Sequence, residues 1–139
     1  MALNPKIFKA YDVRGIYPTD VNSESVTVIA RALATMLPSG QIVVARDGRH
    51  GGEELTAVLE REIVSFGEKI NKKFEIISVG LSTTPMFYFL VNHLNAQGGA
   101  MVTASHNPKE YSGVKAVKEK ALPFSGTELL RVIEERFTI

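Results

Sequence analysis

Between residues 41 and 103 the apolar pattern alternates between the period of a strand and the period of a helix, and few folds accommodate that alternation. Gln41 to Ala45 is a β-branched run preceded by Pro38-Ser39-Gly40; a run so short and so apolar reads as a buried strand. Glu53 to about Glu68 places Leu55, Val58, Leu59, Ile63 and Phe66 on one helical face. Phe74 to Val79 returns to strand. Thr84, with Pro85 at the first helical position, caps a helix that runs to about His93, because a threonine hydroxyl accepts an orphan N–H and proline has none to lose. Ala100 to Thr103 is the next strand. Strand, helix, strand, helix, strand in that order predicts a largely parallel sheet with helices on both faces.

The flanking segments fit around that unit. Ile7 to Tyr17 alternates poorly around Gly15 and reads as two short extended pieces joined by a turn. Asn22 or Ser23 caps a helix whose Val26, Ile29, Ala30, Leu33, Ala34 and Leu37 share a face. Val114 to Val117 follows the Ala100–Thr103 strand too closely for a helical crossover, so it is expected to return antiparallel. Thr127 caps a last helix with Leu129, Leu130, Ile133 and Phe137 on one side. The expected fold class is α/β: a three-layer α/β/α sandwich around a mostly parallel mixed sheet of about four strands, with one antiparallel strand.

A chain of 139 residues fits one domain, 1–139, large enough to bury roughly two-thirds of its unfolded surface without staples. It has no cysteine, which excludes a disulfide framework and any Cys-based metal site and is compatible with a reducing cytoplasm, the expected location. No leader pattern opens the chain, and the longest apolar run, Met86 to Val91, is far short of a membrane span. No membrane partner is expected. A net charge of +1 argues against a nucleic-acid partner; Lys69, Lys72 and Lys73 read as solvated lysines at element ends.

Three polar loops carry the chemistry. Thr103-Ala104-Ser105-His106-Asn107-Pro108 places a hydroxyl beside an imidazole on a turn at the end of a buried strand. An unassisted serine is a poor nucleophile. Acyl transfer lacks support, since no Gly-x-Ser-x-Gly elbow is present. Phosphoryl transfer fits better: a phosphoserine brings about −1.5 to −2 charges and wants cations and N–H donors around it. Lys115, Arg14 and Arg49 could supply them. A turn-forming Ser105 and a structural His106 remain open at this point. Phe8-Lys9-Ala10-Tyr11-Asp12-Val13-Arg14-Gly15 gathers cations, a carboxylate and a phenol, and Tyr11 and Arg14 could both reach an anion; an Asp12–Arg14 surface pair is the alternative. Ala45-Arg46-Asp47-Gly48-Arg49 follows a strand, either as part of a ligand loop or as an ordinary strand-to-helix connection. Cations in all three loops point to an anionic ligand, with phosphate favoured.

These three segments, in this order, resemble the first domain of the α-D-phosphohexomutases of the phosphomannomutase/phosphoglucomutase kind. Gly113-Val114-Lys115 and Leu122-Pro123-Phe124-Ser125-Gly126 extend the likeness over essentially the whole chain. The resemblance implies interconversion of hexose 1-phosphates and 6-phosphates through a bisphosphorylated sugar that turns around in the site. It implies that Ser105 is the phosphoserine and that Lys115 and Arg14 flank its phosphate. His106 would lie by the reacting oxygens, while Tyr11, Asn107 and Arg49 would join Arg14 in contacting substrate. A magnesium ion would bind an oxygen of the Ser105 phosphate. The phosphohexomutases have four domains, and the metal, sugar and phosphate-clamp loops of domains II to IV have no counterpart string here. The expected partners are therefore a phosphorylated hexose and those missing domains. The chain alone is expected to be inactive and to hold magnesium weakly. A departure at Tyr111-Ser112-Gly113 leaves the packing around Lys115 open. The rival functions are a stand-alone phosphosugar or anion-binding module and a domain that complements a separate chain.

Overall fold

The computed structural model describes residues 3–137. Its elements are β1 (Val13–Ile16), α1 (Ser23–Met36), β2 (Gly40–Arg46), α2 (Gly52–Lys69), β3 (Phe74–Leu81), α3 (Thr84–His93), β4 (Gly98–Val102), β5 (Tyr111–Lys118) and α4 (Gly126–Arg136). One five-stranded sheet has the order β1-β5-β4-β2-β3. β4, β2 and β3 pair in parallel, and β5 is antiparallel to both β4 and β1. One strand thus runs against the other four, so the expected sandwich and its single reversed strand stand, with a fifth strand at the edge. That fifth strand is β1, half of what the sequence suggested as two extended pieces; the other half makes only a bridge, Phe8 to Val13.

The sheet is buried on both sides in its centre, which explains the unbroken apolar run of β2. Ile42 and Val44 face α1, α2 and α4, packing with Ile29, Leu33, Leu55, Leu59, Leu129 and Ile133. Val43, Ala45 and Met101 face Phe87 and Val91 of α3. The connection through α2 leads from β2 to β3, and the one through α3 returns across β2 to β4. Crossovers in opposite directions with the same hand put their helices on opposite faces.

Two helix starts differ from expectation. Thr83, not Thr84, caps α3: its backbone is extended and its Oγ1 accepts the Met86 N–H at 3.2 Å. Ser125, not Thr127, caps α4 in a reciprocal box with Glu128, the two bonds being 2.8 and 3.0 Å. Such a box satisfies two orphan donors where a lone threonine satisfies one. At α1 the open choice resolves to Asn22, with Ser25 completing the box. The start of α4 also supports the N-terminal segment, since the Gly126 N–H donates to the Lys9 carbonyl at 2.8 Å.

Gly113 is where two strands come closest. A Cβ there would fall on the Val13 carbonyl oxygen, so only glycine lets β1 pair with β5 at this point. The pairing sets Arg14 opposite Gly113, two residues from Lys115.

Candidate active site

Loops following β2 and β4 meet the start of α3 around a cleft of about 710 Å³ at the carboxyl ends of the parallel strands, the edge where open α/β sheets place ligands. Ser105, His106, Lys115 and Arg14 all line it, together with Thr103, Asp47 and residues 82–85. Four residues expected to act together are therefore brought together from three strands.

Ser105 is held in an unusual backbone state. Its φ is +53°, the left-handed region, disfavoured by about 1–2 kcal/mol for a residue with a Cβ. Its polar contacts are made by its backbone: the N–H donates to Thr103 Oγ1 at 3.0 Å and the carbonyl accepts from Arg49 at 2.7 Å. Its half-buried side chain is left to the cleft. Strain of this kind at a loop tip persists where the surroundings impose it. His106 is exposed and Asn107 half-buried.

The cations are arranged around a buried carboxylate. Asp12 is 3% exposed, so it does not form the surface pair offered as an alternative. Arg14 Nε donates to its Oδ2 at 2.7 Å and Lys115 Nζ lies 3.9 Å from the same oxygen. Arg14 Nη1 donates to Asn107 Oδ1 at 2.7 Å, tying β1 to the Ser105 loop. Asp12 thus orients two cleft cations, a role the sequence signalled only by its place in the motif. The departure at Tyr111-Ser112-Gly113 does not disturb this: β5 pairs regularly from Tyr111 to Lys118, and the Ser112 hydroxyl is buried without a partner. The amino end of α3 was also missed as a site element. Residues 82–85 line the cleft, and the positive end of a helix dipole there favours an anion.

The other three expected substrate contacts, Tyr11, Asn107 and Arg49, lie beside this cleft and line adjoining hollows. Tyr11 is 70% exposed and lines an adjoining hollow that it shares with Arg14, Asn107 and Lys9. Asn107 lines that hollow too, its amide oxygen held by Arg14. The Arg49 guanidinium is turned toward the protein. Its Nε donates to Asp47, Nη1 to the carbonyls of Pro108 and Tyr111, and Nη2 to those of Ser105 and Asn107, at 2.7 to 3.2 Å. A guanidinium has five N–H groups, and all five are engaged within the protein.

Magnesium finds little here beyond a phosphate. Among the described residues no three or more carboxylates or imidazoles gather as a metal site. The cleft carboxylate Asp47 is engaged by Thr103 at 2.6 Å and by Arg49. An octahedral oxygen-loving ion would need ligands beyond those the described residues gather at the cleft.

Residues 5–138 match the model for phosphoglucomutase/phosphomannomutase, alpha/beta/alpha domain I. A phosphomannomutase of Klebsiella pneumoniae is 41% identical over 91% of this chain and 77% of its own length. A protein of Xanthomonas campestris named for phosphohexose mutases is 40% identical over 92% of this chain but only 27% of its own length. A solved structure of a phosphoglucomutase/phosphomannomutase family protein from Burkholderia thailandensis superposes with a TM-score of 0.81 at 29% identity, over 98% of this chain and 31% of that one. The sheet order, the cleft at its carboxyl edge and these matches agree: the chain belongs to the phosphoglucomutase/phosphomannomutase family, as its domain I.

Proposed function

We propose that this domain carries the phosphoserine of a phosphohexomutase that interconverts hexose 1-phosphate and hexose 6-phosphate, with mannose or glucose as the sugar. The observation that carries this reading is the placement of Ser105, held at φ +53° with Arg14, Lys115 and the start of α3 around one cleft. In the first transfer a sugar hydroxyl oxygen bonds to phosphorus as the bond from phosphorus to Ser105 Oγ breaks. The hydroxyl proton leaves to a base, for which His106 is the cleft imidazole. The bisphosphorylated sugar turns, and Ser105 Oγ bonds to the other phosphorus as that phosphorus–sugar oxygen bond breaks, the freed sugar oxygen taking back the proton from the base. Such a step asks the protein mainly for positioning and for charge stabilisation. Arg14 and Lys115, oriented by buried Asp12, supply the charge, and α3 adds backbone dipoles. A magnesium ion neutralising the phosphoserine would be held mainly by residues outside this chain, and turnover would need the further domains, so the domain alone is expected to be inactive.

The rival is a module that binds phosphosugar in the same cleft without transfer. Mass spectrometry on full-length protein separates the two. The mutase reading expects one added phosphate on the peptide containing Ser105, absent from Ser105→Ala. Full-length protein that binds phosphosugar yet never carries phosphate at Ser105 supports the rival.

A further inference from the structure

The saturated guanidinium of Arg49 is one half of a closed device. Asp47 Oδ1 accepts the Arg49 backbone N–H at 3.1 Å, and its Oδ2 accepts both Arg49 Nε at 3.2 Å and the Thr103 hydroxyl at 2.6 Å. From that single carboxylate two arms reach Ser105. One runs through Thr103 Oγ1, which accepts the Ser105 N–H at 3.0 Å. The other runs through Arg49 Nη2, which donates to the Ser105 carbonyl at 2.7 Å. The same guanidinium holds the carbonyls of Asn107, Pro108 and Tyr111, so the turn from 105 to 111 is gathered around one planar cation. Only a rigid fork with donors on three nitrogens can serve four carbonyls and a carboxylate at once.

We propose that Asp47 and Arg49 are positioning residues that fix Ser105 in its left-handed state and aim its hydroxyl into the cleft, without touching substrate. The catalytic consequence rests on the phosphohexomutase reading; the clamp itself does not. Charge on Arg49 is neutralised by Asp47 and spent on carbonyls, so this cation shapes the loop while Arg14 and Lys115 face the ligand. The Asp-Gly turn at 47–48 that reads as an ordinary strand-to-helix connection is thereby an anchor for a loop 56 residues downstream.

Amide hydrogen exchange and steady-state kinetics test it together. Arg49→Lys keeps a charge but cannot form the fork. Thr103→Val keeps the shape and cuts only one arm. In this 139-residue chain both variants should speed exchange at the Ser105 amide by about tenfold or more, the fold-change for losing a hydrogen bond that involves or leans on a charged group. Ala100 and Val114, in neighbouring strands, should keep their protection. Unchanged exchange at Ser105 in both variants overturns the clamp whatever the enzyme does. In full-length protein assayed with hexose 1-phosphate, Arg49→Lys should lower kcat by about tenfold or more while KM stays within about twofold, the signature of lost positioning rather than lost binding. A raised KM with unchanged kcat would make Arg49 a ligand contact and overturn the proposal. If the unaltered full-length protein shows no turnover, it is the mutase reading that fails, and the exchange result still decides the clamp.

Discussion

The segment 8–15 and the loop 46–49 each contain an Asp-x-Arg pair, Asp12 with Arg14 and Asp47 with Arg49, yet the two arginines end in different jobs. Arg14 gives Nε to Asp12 and Nη1 to Asn107, and it lines the cleft with capacity to spare. Arg49 gives every N–H to the protein. The difference lies in what surrounds each pair. Arg14 sits on the edge strand β1, opposite a glycine, where no turn offers it carbonyls. Arg49 sits beneath the turn at 105–111, whose carbonyls converge on it. An arginine belongs to a ligand only after its donors have been counted against the acceptors that the fold supplies.

The largest effect should come from breaking the first region through its backbone. Gly113→Ala sets a Cβ against the Val13 carbonyl, and relief requires β1 to leave β5. We expect a loss of about 3 kcal/mol or more of stability by denaturant unfolding. Wherever the variant remains folded, exchange should quicken at Val13 and Gly15, the β1 residues in the hydrogen-bonded pairs with β5, while the Ser105 amide stays protected by the second region. Equal loosening of both would show that the regions are not independent.

Lys115→Met comes next. It removes a cleft cation and leaves the Arg49 clamp untouched. In full-length protein kcat should fall by about 10²-fold, the scale of losing one transition-state donor, with the Ser105 amide as protected as before. Unchanged kcat would remove Lys115 from the chemistry.

The smallest effect is a pH dependence at the start of α4, which supports the first region through Lys9. The capping bond from the Ser125 backbone holds the Glu128 carboxyl below its ordinary range, with the Ser125 hydroxyl, Lys118 and Arg131 adding to it. A lowered folded pKa gives stability that is present above the unfolded glutamate pKa and lost as pH falls through the folded one. Glu128 is half-buried, but its partners Lys118 and Arg131 are exposed, so screening keeps the contribution small, about 0.5 kcal/mol. Glu128→Gln should flatten the acid side of the stability profile by that amount and loosen the α4 start that holds Lys9. An identical profile for the variant would remove the capping box from the account.

Much of the fold was legible because burial on two faces writes itself into β2, and helical faces into α1, α2 and α4, as plain periodicity. Helix starts were misread by one or two residues at Thr84 and Thr127, where several hydroxyl-bearing residues compete and only backbone geometry decides between them. Ser105, His106, Lys115 and Arg14 were legible as a group because their motifs are dense in chemistry. The sequence could not show that Asp12 is buried, that α3 begins at the cleft, or that Arg49 is saturated. Each depends on loops far apart in the chain meeting in space. Arg49 and the carbonyls it holds are separated by 56 to 62 residues, and no local pattern encodes that encounter.

Phosphoryl passage through Ser105 is tested most directly by following labelled phosphate in full-length protein. With a hexose bisphosphate labelled in its phosphoryl groups, label should reach the peptide containing Ser105 within one turnover. Ser105→Ala should take up none there and lose turnover by about 10³-fold or more. An alanine variant that interconverts hexose phosphates at a near-normal rate would contradict the account.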